Sequence, residues 1–166
     1  MNITSKSRYA LKIMMDLAMH YDEGHQQRQA IASRQRVPLD FMDQITSRLR
    51  SADLIESIRG RSGGFQLTKT PAEISLCDIL YAVEDSLYPV KCLENEPCDL
   101  EDDCISAPVW NDIFTVIKER LMGKSLDESI KNAQETPLKP CRGDDLACSK
   151  ASTVPCGRPR SSSHQC

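Results

Sequence analysis

Apolar residues fall at helical spacing through SKSRYALKIMMDLAMHYDEG, at Tyr9, Ile13, Leu17 and Ala18 with Ala10, Met14 and Tyr21 beside them, which predicts an amphipathic helix. Thr4 or Ser5 can cap its start and Gly24 can end it. After a polar turn, RQAIASRQRV predicts a shorter helix packed through Ile31, Ala32 and Val37. PLDFMDQITSRLRSADL predicts a third, with Phe41, Ile45, Leu49 and Ala52 on one face and Pro38 at its start, where proline is tolerated. Helix, short helix, tight turn and helix is the helix-turn-helix order. LIESIRG and GFQLT then read as short strands around RGRSGG, a glycine-rich hairpin with two arginines. The expected fold is mainly α with a small β-hairpin wing: a winged helix-turn-helix followed by a long dimerisation helix.

Beyond Pro71, ISLCDILYAVED predicts another amphipathic helix with Ile74, Ile79, Leu80 and Val83 inward and Cys77 as a small core residue on the same face. SAPVWNDIFTVIKERLMG predicts a long helix capped by Ser106. Its apolar set, Val109, Trp110, Ile113, Val116, Ile117 and Leu121, is wider than one helix can bury on so small a domain, which implies packing against a partner subunit. From residue 136 periodicity is lost and proline, serine, glycine and cysteine dominate, so a disordered tail is expected. The chain thus divides into a DNA-binding domain (1–70), a linker helix with a cysteine loop (71–105), the dimerisation helix with a short C-terminal helix (106–135) and the tail (136–166).

At 166 residues, 40% hydrophobic and 27% charged, the composition is that of a soluble domain, with neither a long apolar span nor a basic-then-apolar leader. A cytoplasmic location without membrane contact is expected. The net charge of −3 conceals a polarity: residues 1–70 carry eleven Lys/Arg against seven Asp/Glu, whereas 71–135 carry five against fifteen. A basic front suggests a polyanion partner and an acidic middle a cationic one. No nucleophile–base pair or phosphate-cradling motif suggests catalysis.

The third predicted helix carries Asp40, Asp43, Gln44, Ser47, Arg48 and Arg50 off its apolar stripe, where such residues face base edges in the major groove of double-stranded DNA. Gln44 suits adenine, and Arg48 and Arg50 suit phosphate or guanine. Asp43 is anomalous, because an acid there repels phosphate unless it accepts a bond from cytosine, and it reads equally well as a solvated surface acid. In the hairpin, Arg59, Gly60 and Arg61 can approach the minor groove. Thr4, Ser5, Lys6, Arg8 and Tyr9, at the start of the first helix, are also assigned to the DNA-binding side.

CLENEPCDLEDDC, residues 92–104, holds three cysteines evenly spaced among six acidic side chains. Acidic neighbours raise thiol pKa values, and a bound cation reverses that by deprotonating its thiol ligands. Cys92, Cys98 and Cys104 are therefore candidate metal ligands. Zinc, which favours cysteine pairs two to four residues apart, and a metal-free thiol redox switch are the alternatives. The tail cysteines Cys141, Cys148, Cys156 and Cys166 match no recognisable site.

ITSKSRYAL, SRLRSADLIES, IRGRSGGFQL and the cysteine trio together resemble the IscR-like bacterial transcription regulators of the Rrf family, which also includes NsrR and RirA, over residues 1 to about 132. The resemblance implies a homodimer bound to a two-fold related operator, and an iron-sulfur cluster held by Cys92, Cys98 and Cys104. It further implies that the acid at Asp43 biases DNA choice by cluster state. Where IscR has a histidine ligand three residues after the last cysteine, this chain has Ala107, and where NsrR draws an aspartate from the first helix it has Arg8. The fourth ligand is open, with Asp102 and Asp103 as candidates. Resemblance to IscR points to two irons, [2Fe-2S], and the count of three thiolates to four, [4Fe-4S].

Overall fold

The computed structural model describes residues 4–60, 63–94 and 104–135. Within them lie α1 (Ser5–Met19), α2 (Arg28–Gln35), α3 (Leu39–Ser51), β1 (Ile55–Ile58), β2 (Gly64–Leu67), α4 (Leu76–Val83), α5 (Ala107–Met122) and α6 (Leu126–Glu135). The winged helix-turn-helix expected from the sequence is present.

Thr4, in extended conformation, caps α1 by accepting from the Lys6 amide at 3.1 Å. The helix stops at Met19 rather than running to Gly24; a 3₁₀ turn, Tyr21–Glu23, intervenes, and Gly24 closes that turn at φ +79°. α1 is the spine of the core. Its Ala10, Ile13, Met14 and Leu17 are buried among Ile31 of α2, Met42, Ile45 and Leu49 of α3, Ile79 and Val83 of α4, and Leu126 of α6. The Asp16 carboxylate is buried on α1 but satisfied, receiving Arg34 Nε at 3.0 Å, Arg34 Nη2 at 2.6 Å and Gln35 Nε2 at 2.9 Å. These bonds lock α2 against α1.

Arg36, in the left-handed region at φ 52°, turns the chain sharply, and buried Val37 pins the turn before Pro38 opens α3. The inward stripe of α3 is rotated from the one expected. Met42, Ile45, Thr46 and Leu49 are buried, whereas Phe41 and Ala52 are exposed. Thr46 can be buried because its hydroxyl donates to the Met42 carbonyl at 2.8 Å, and the Phe41 ring leans on Tyr9, centroids 5.5 Å apart.

β1 and β2 pair antiparallel from Ile55–Leu67 to Ile58–Gly64. A short bridge ties the hairpin to the α1–α2 connection: Gln26 N donates to the Phe65 carbonyl at 2.8 Å and Phe65 N to the Gln26 carbonyl at 2.9 Å. A side chain at Gly64 would strike the Gln26 carbonyl, so glycine is required for this close approach.

α4 begins with a reciprocal capping box between Ser75 and Asp78 and buries Ile79, Leu80 and Val83, as expected. Cys77 is also buried there, and burial pushes its thiol pKa up, with Asp78 adding to the effect. α5 buries only Phe114, stacked on Tyr88 at 4.3 Å. Val109, Trp110, Ile113 and Val116 of its expected apolar set are exposed. α6 returns to α4 through Leu126 N donating to the Ile74 carbonyl at 2.8 Å. No described helix is long and apolar enough to cross a membrane. The expected tail, 136–166, lies outside the described residues.

Candidate nucleic-acid interface and metal loop

α3 exposes Asp43, Gln44, Ser47 and Arg50 to solvent, and the hairpin exposes Arg59 and Gly60. Gly60 takes φ +123°, which an L side chain rarely adopts, so the turn that carries Arg59 depends on it. Arg61 lies outside the described residues.

Two of the expected DNA-facing charges are already engaged within the protein. Asp43 Oδ2 accepts from Arg28 Nη2 at 2.7 Å, and the same nitrogen reaches the Leu39 carbonyl at 3.1 Å. Arg48 turns back toward the end of α4, donating to the Val83 carbonyl at 3.1 Å and to Asp85 Oδ1 at 2.8 Å. Arg48 holds the Asp85 carboxyl below its ordinary pKa, first by that hydrogen bond and then by its charge.

The start of α1 is divided in the same way. Thr4 donates to Glu84 Oε1 from its hydroxyl at 2.6 Å and its amide at 3.2 Å, and the buried Ser7 hydroxyl donates to the same oxygen. Burial works to raise the Glu84 pKa, but the bonds from Ser7 and Thr4 outweigh it and the net shift is downward. Thr4 is thus a structural cap, whereas Ser5 and Arg8 are exposed, Lys6 and Tyr9 are half-buried, and the Arg8 guanidinium lies 5.3 Å from the Tyr9 ring centre.

Glu84, Asp85 and Arg28 were not singled out by sequence reasoning. Glu84 and Asp85 follow an amphipathic helix and look like solvated acids, and Arg28 opens a helix whose positive N-terminus does not favour a cation. Their partners lie at sequence separations of 77, 37 and 15 residues, beyond any local pattern.

Of the cysteine loop, only the ends are described. Cys92 lies in the 3₁₀ turn Lys91–Leu93 and Cys104 just before α5, while Cys98, Asp102 and Asp103 lie outside the described residues. Ser106 stands at the head of α5 but does not cap it. Its hydroxyl is 3.4 Å from Cys104 Sγ, and that contact, followed by the Ser106 and Ala107 amides, lowers the thiol pKa. At Cys104 these hydrogen bonds outweigh the opposing effect of burial, and a thiol lowered in this way suits a metal ligand. Ala107, the first residue of α5, has no donor atom to add, and Arg8 cannot ligate.

A short helix, a tight left-handed turn, an exposed second helix and a hairpin wing beside it define a winged helix-turn-helix DNA-binding regulator. The family model described as Rrf2, iron-dependent transcriptional regulator, matches residues 3–132, and the chain belongs to that family. It is a transcriptional regulator, not an enzyme, and as a member of this family it binds DNA. It is similar to the HTH-type transcriptional regulator IscR of Photorhabdus laumondii, 36% identical over 134 residues that cover 81% of this chain and 82% of the relative. The IscR of Xenorhabdus nematophila is 33% identical over 160 residues, 96% of this chain and 94% of the relative. Among solved structures, T. potens IscR superposes with a TM-score of 0.68 at 29% identity, covering 84% of this chain and 93% of that one. CymR, the global cysteine regulator of B. subtilis, does so with a TM-score of 0.67 at 32% identity, covering 79% and 97%.

Proposed function

We propose that the chain regulates transcription as a homodimer on a two-fold related operator, and that an iron-sulfur cluster held by Cys92, Cys98 and Cys104 sets its promoter binding. Such a cluster supplies iron–thiolate bonds that respond to iron supply, oxidants or nitric oxide. Three thiolates suit three corners of a [4Fe-4S] cube, with Asp102, Asp103, water or a small thiol at the remaining iron; a [2Fe-2S] cluster would need a fourth protein ligand. Gln44, Ser47 and Arg50 on α3 and Arg59 to Arg61 in the wing meet the duplex, joined by Ser5, Lys6, Arg8 and Tyr9 from α1. The exposed apolar face of α5, Val109, Trp110, Ile113 and Val116, meets the second copy.

The observation that carries this reading is the junction at Glu84 and Asp85. The segment that leads from α4 to Cys92 starts with the two acids that grip the start of α1 and Arg48 of α3. Loop residues drawn toward one bound group would pull on that junction, and through it on both DNA-facing helices. A ligand shifts DNA affinity only by its different affinity for the two arrangements.

Anaerobic purification with a visible spectrum and a count of iron and sulfide per chain tests the proposal. A brown protein with iron matching sulfide, and loss of regulated operator binding in Cys92→Ala, Cys98→Ala and Cys104→Ala, is the expected result. Cluster-free variants that bind every operator like the wild type would sink it. The lowered thiol pKa of Cys104 favours one second reading, a thiol switch without metal, which predicts a colourless protein whose DNA affinity follows oxidant. A colourless protein containing zinc would make the trio a structural site instead.

A further inference from the structure

The ion pair between Arg28 and Asp43 lies on the face assigned to DNA, yet neither helix needs it. Arg28 occupies the first position of α2, where the helix dipole disfavours a cation, and no acid stands in that first turn to offset it. Instead its guanidinium spans to α3, where Nη2 is shared between the Leu39 carbonyl and Asp43 Oδ2. Both side chains are substantially exposed, 40% for Arg28 and 64% for Asp43, so the pair adds little to folding in water. Its position matters more: Arg28, with Gln27, Gln29 and Gly63, lines the cleft between the start of α2 and the wing.

We propose that Arg28 is a specificity-determining residue that acts through Asp43. The argument rests on the reading of α3 as the base-facing helix. An unpaired carboxylate one residue before Gln44 would repel the phosphates of any duplex. Arg28 cancels that charge locally and holds Oδ2 toward α2, which leaves Oδ1 as the acceptor free to take the N4 amino group of cytosine in the major groove. With Arg28 removed, Asp43 keeps its charge but loses its orientation. Affinity should then fall on all sequences, and discrimination should fall at the one base pair that Asp43 reads.

The test uses the full-length, anaerobically purified protein and a duplex enriched from a random-sequence pool by the wild type. Binding by fluorescence anisotropy is measured on that duplex and on variants changed one base pair at a time, for wild type, Arg28→Ala, Asp43→Ala and the double variant. Asp43→Ala is expected to erase preference at one base pair, on the order of five- to a hundred-fold. Arg28→Ala should weaken the same preference at least about two-fold, and should have no further effect on that preference once Asp43 is gone. Asp43→Asn, which keeps shape and loses charge, should release Arg28 and behave like Asp43→Ala on affinity. If Arg28→Ala acts equally with and without Asp43, or lowers affinity uniformly with a shallower salt dependence, Arg28 is only a phosphate contact and the proposal is overturned. If neither Asp43→Ala nor Gln44→Ala alters binding to any duplex, α3 is not the reading helix, a distinct failure that overturns the underlying assignment as well.

Discussion

Arg50 is exposed near the end of α3, whereas Arg48 is held by the Val83 carbonyl and Asp85, so these near neighbours should respond differently to substitution. Arg50→Ala is expected to lower the slope of log affinity against log salt by about 0.9, the loss of one phosphate contact. Arg48→Ala should leave that slope nearly unchanged and lower the thermal midpoint, because it cuts a link between α3 and α4. Titrations at several salt concentrations with a parallel melt separate the two; an equal loss of slope would mean that Arg48 leaves Asp85 for DNA. Glu84 adds a pH dependence of known sign. Its folded pKa lies below its unfolded value, so the bonds from Thr4 and Ser7 contribute stability above the ordinary glutamate range, and that contribution is lost as pH falls through the folded pKa. Melts of the wild type should therefore show a drop in that acidic window that Glu84→Gln reduces. An identical pH profile for the two proteins would show that Glu84 does not carry the linkage.

Gly64 decides how the wing is held to the body. An added Cβ would meet the Gln26 carbonyl, and the backbone bonds between Gln26 and Phe65 leave neither strand free to retreat. Gly64→Ala is expected to cost roughly 1–3 kcal/mol in urea denaturation, by overpacking, and to weaken DNA binding through a displaced Arg59. Unchanged stability would mean that the bridge yields. Elements of this kind were partly legible in the sequence. The order of helices, the hairpin and the core faces of α1 and α4 follow from period and turn chemistry, which act locally. On α3, Ile45 and Leu49 face inward as the period predicts, but Met42 and Thr46 take the places expected for Phe41 and Ala52, because Thr46, polar in the sequence, satisfies itself on the Met42 carbonyl and can be buried. Ser106 matched the pattern of a cap, but the structure turns its hydroxyl to Cys104. The links from Arg28, Glu84 and Asp85 are tertiary, so no window along the chain contains both partners.

For the whole molecule, α5 poses the plainest physical problem. Val109, Val116 and Met122 are each more than half exposed and Trp110 and Ile113 nearly 40%, while Phe114, with the half-buried Leu121 beside it, anchors the helix to the core. A face this apolar, left in water, forfeits about 25 cal/mol per Å² of surface it could bury. In the proposed homodimer a second copy would supply the same face by two-fold symmetry and place two reading heads on one duplex. Ile113→Glu puts a charge in the middle of that face without touching the core cluster that holds Phe114, Leu80 and Leu87. The variant should stay folded by circular dichroism and sediment as a monomer. It should bind a two-fold operator at least about a hundred-fold more weakly, because the second half-site no longer gains from tethering to the first. Sedimentation as a dimer would place the interface elsewhere. A monomer that keeps full affinity would mean that one winged helix suffices, and the two-fold operator would have to be abandoned even though α5 had been located correctly.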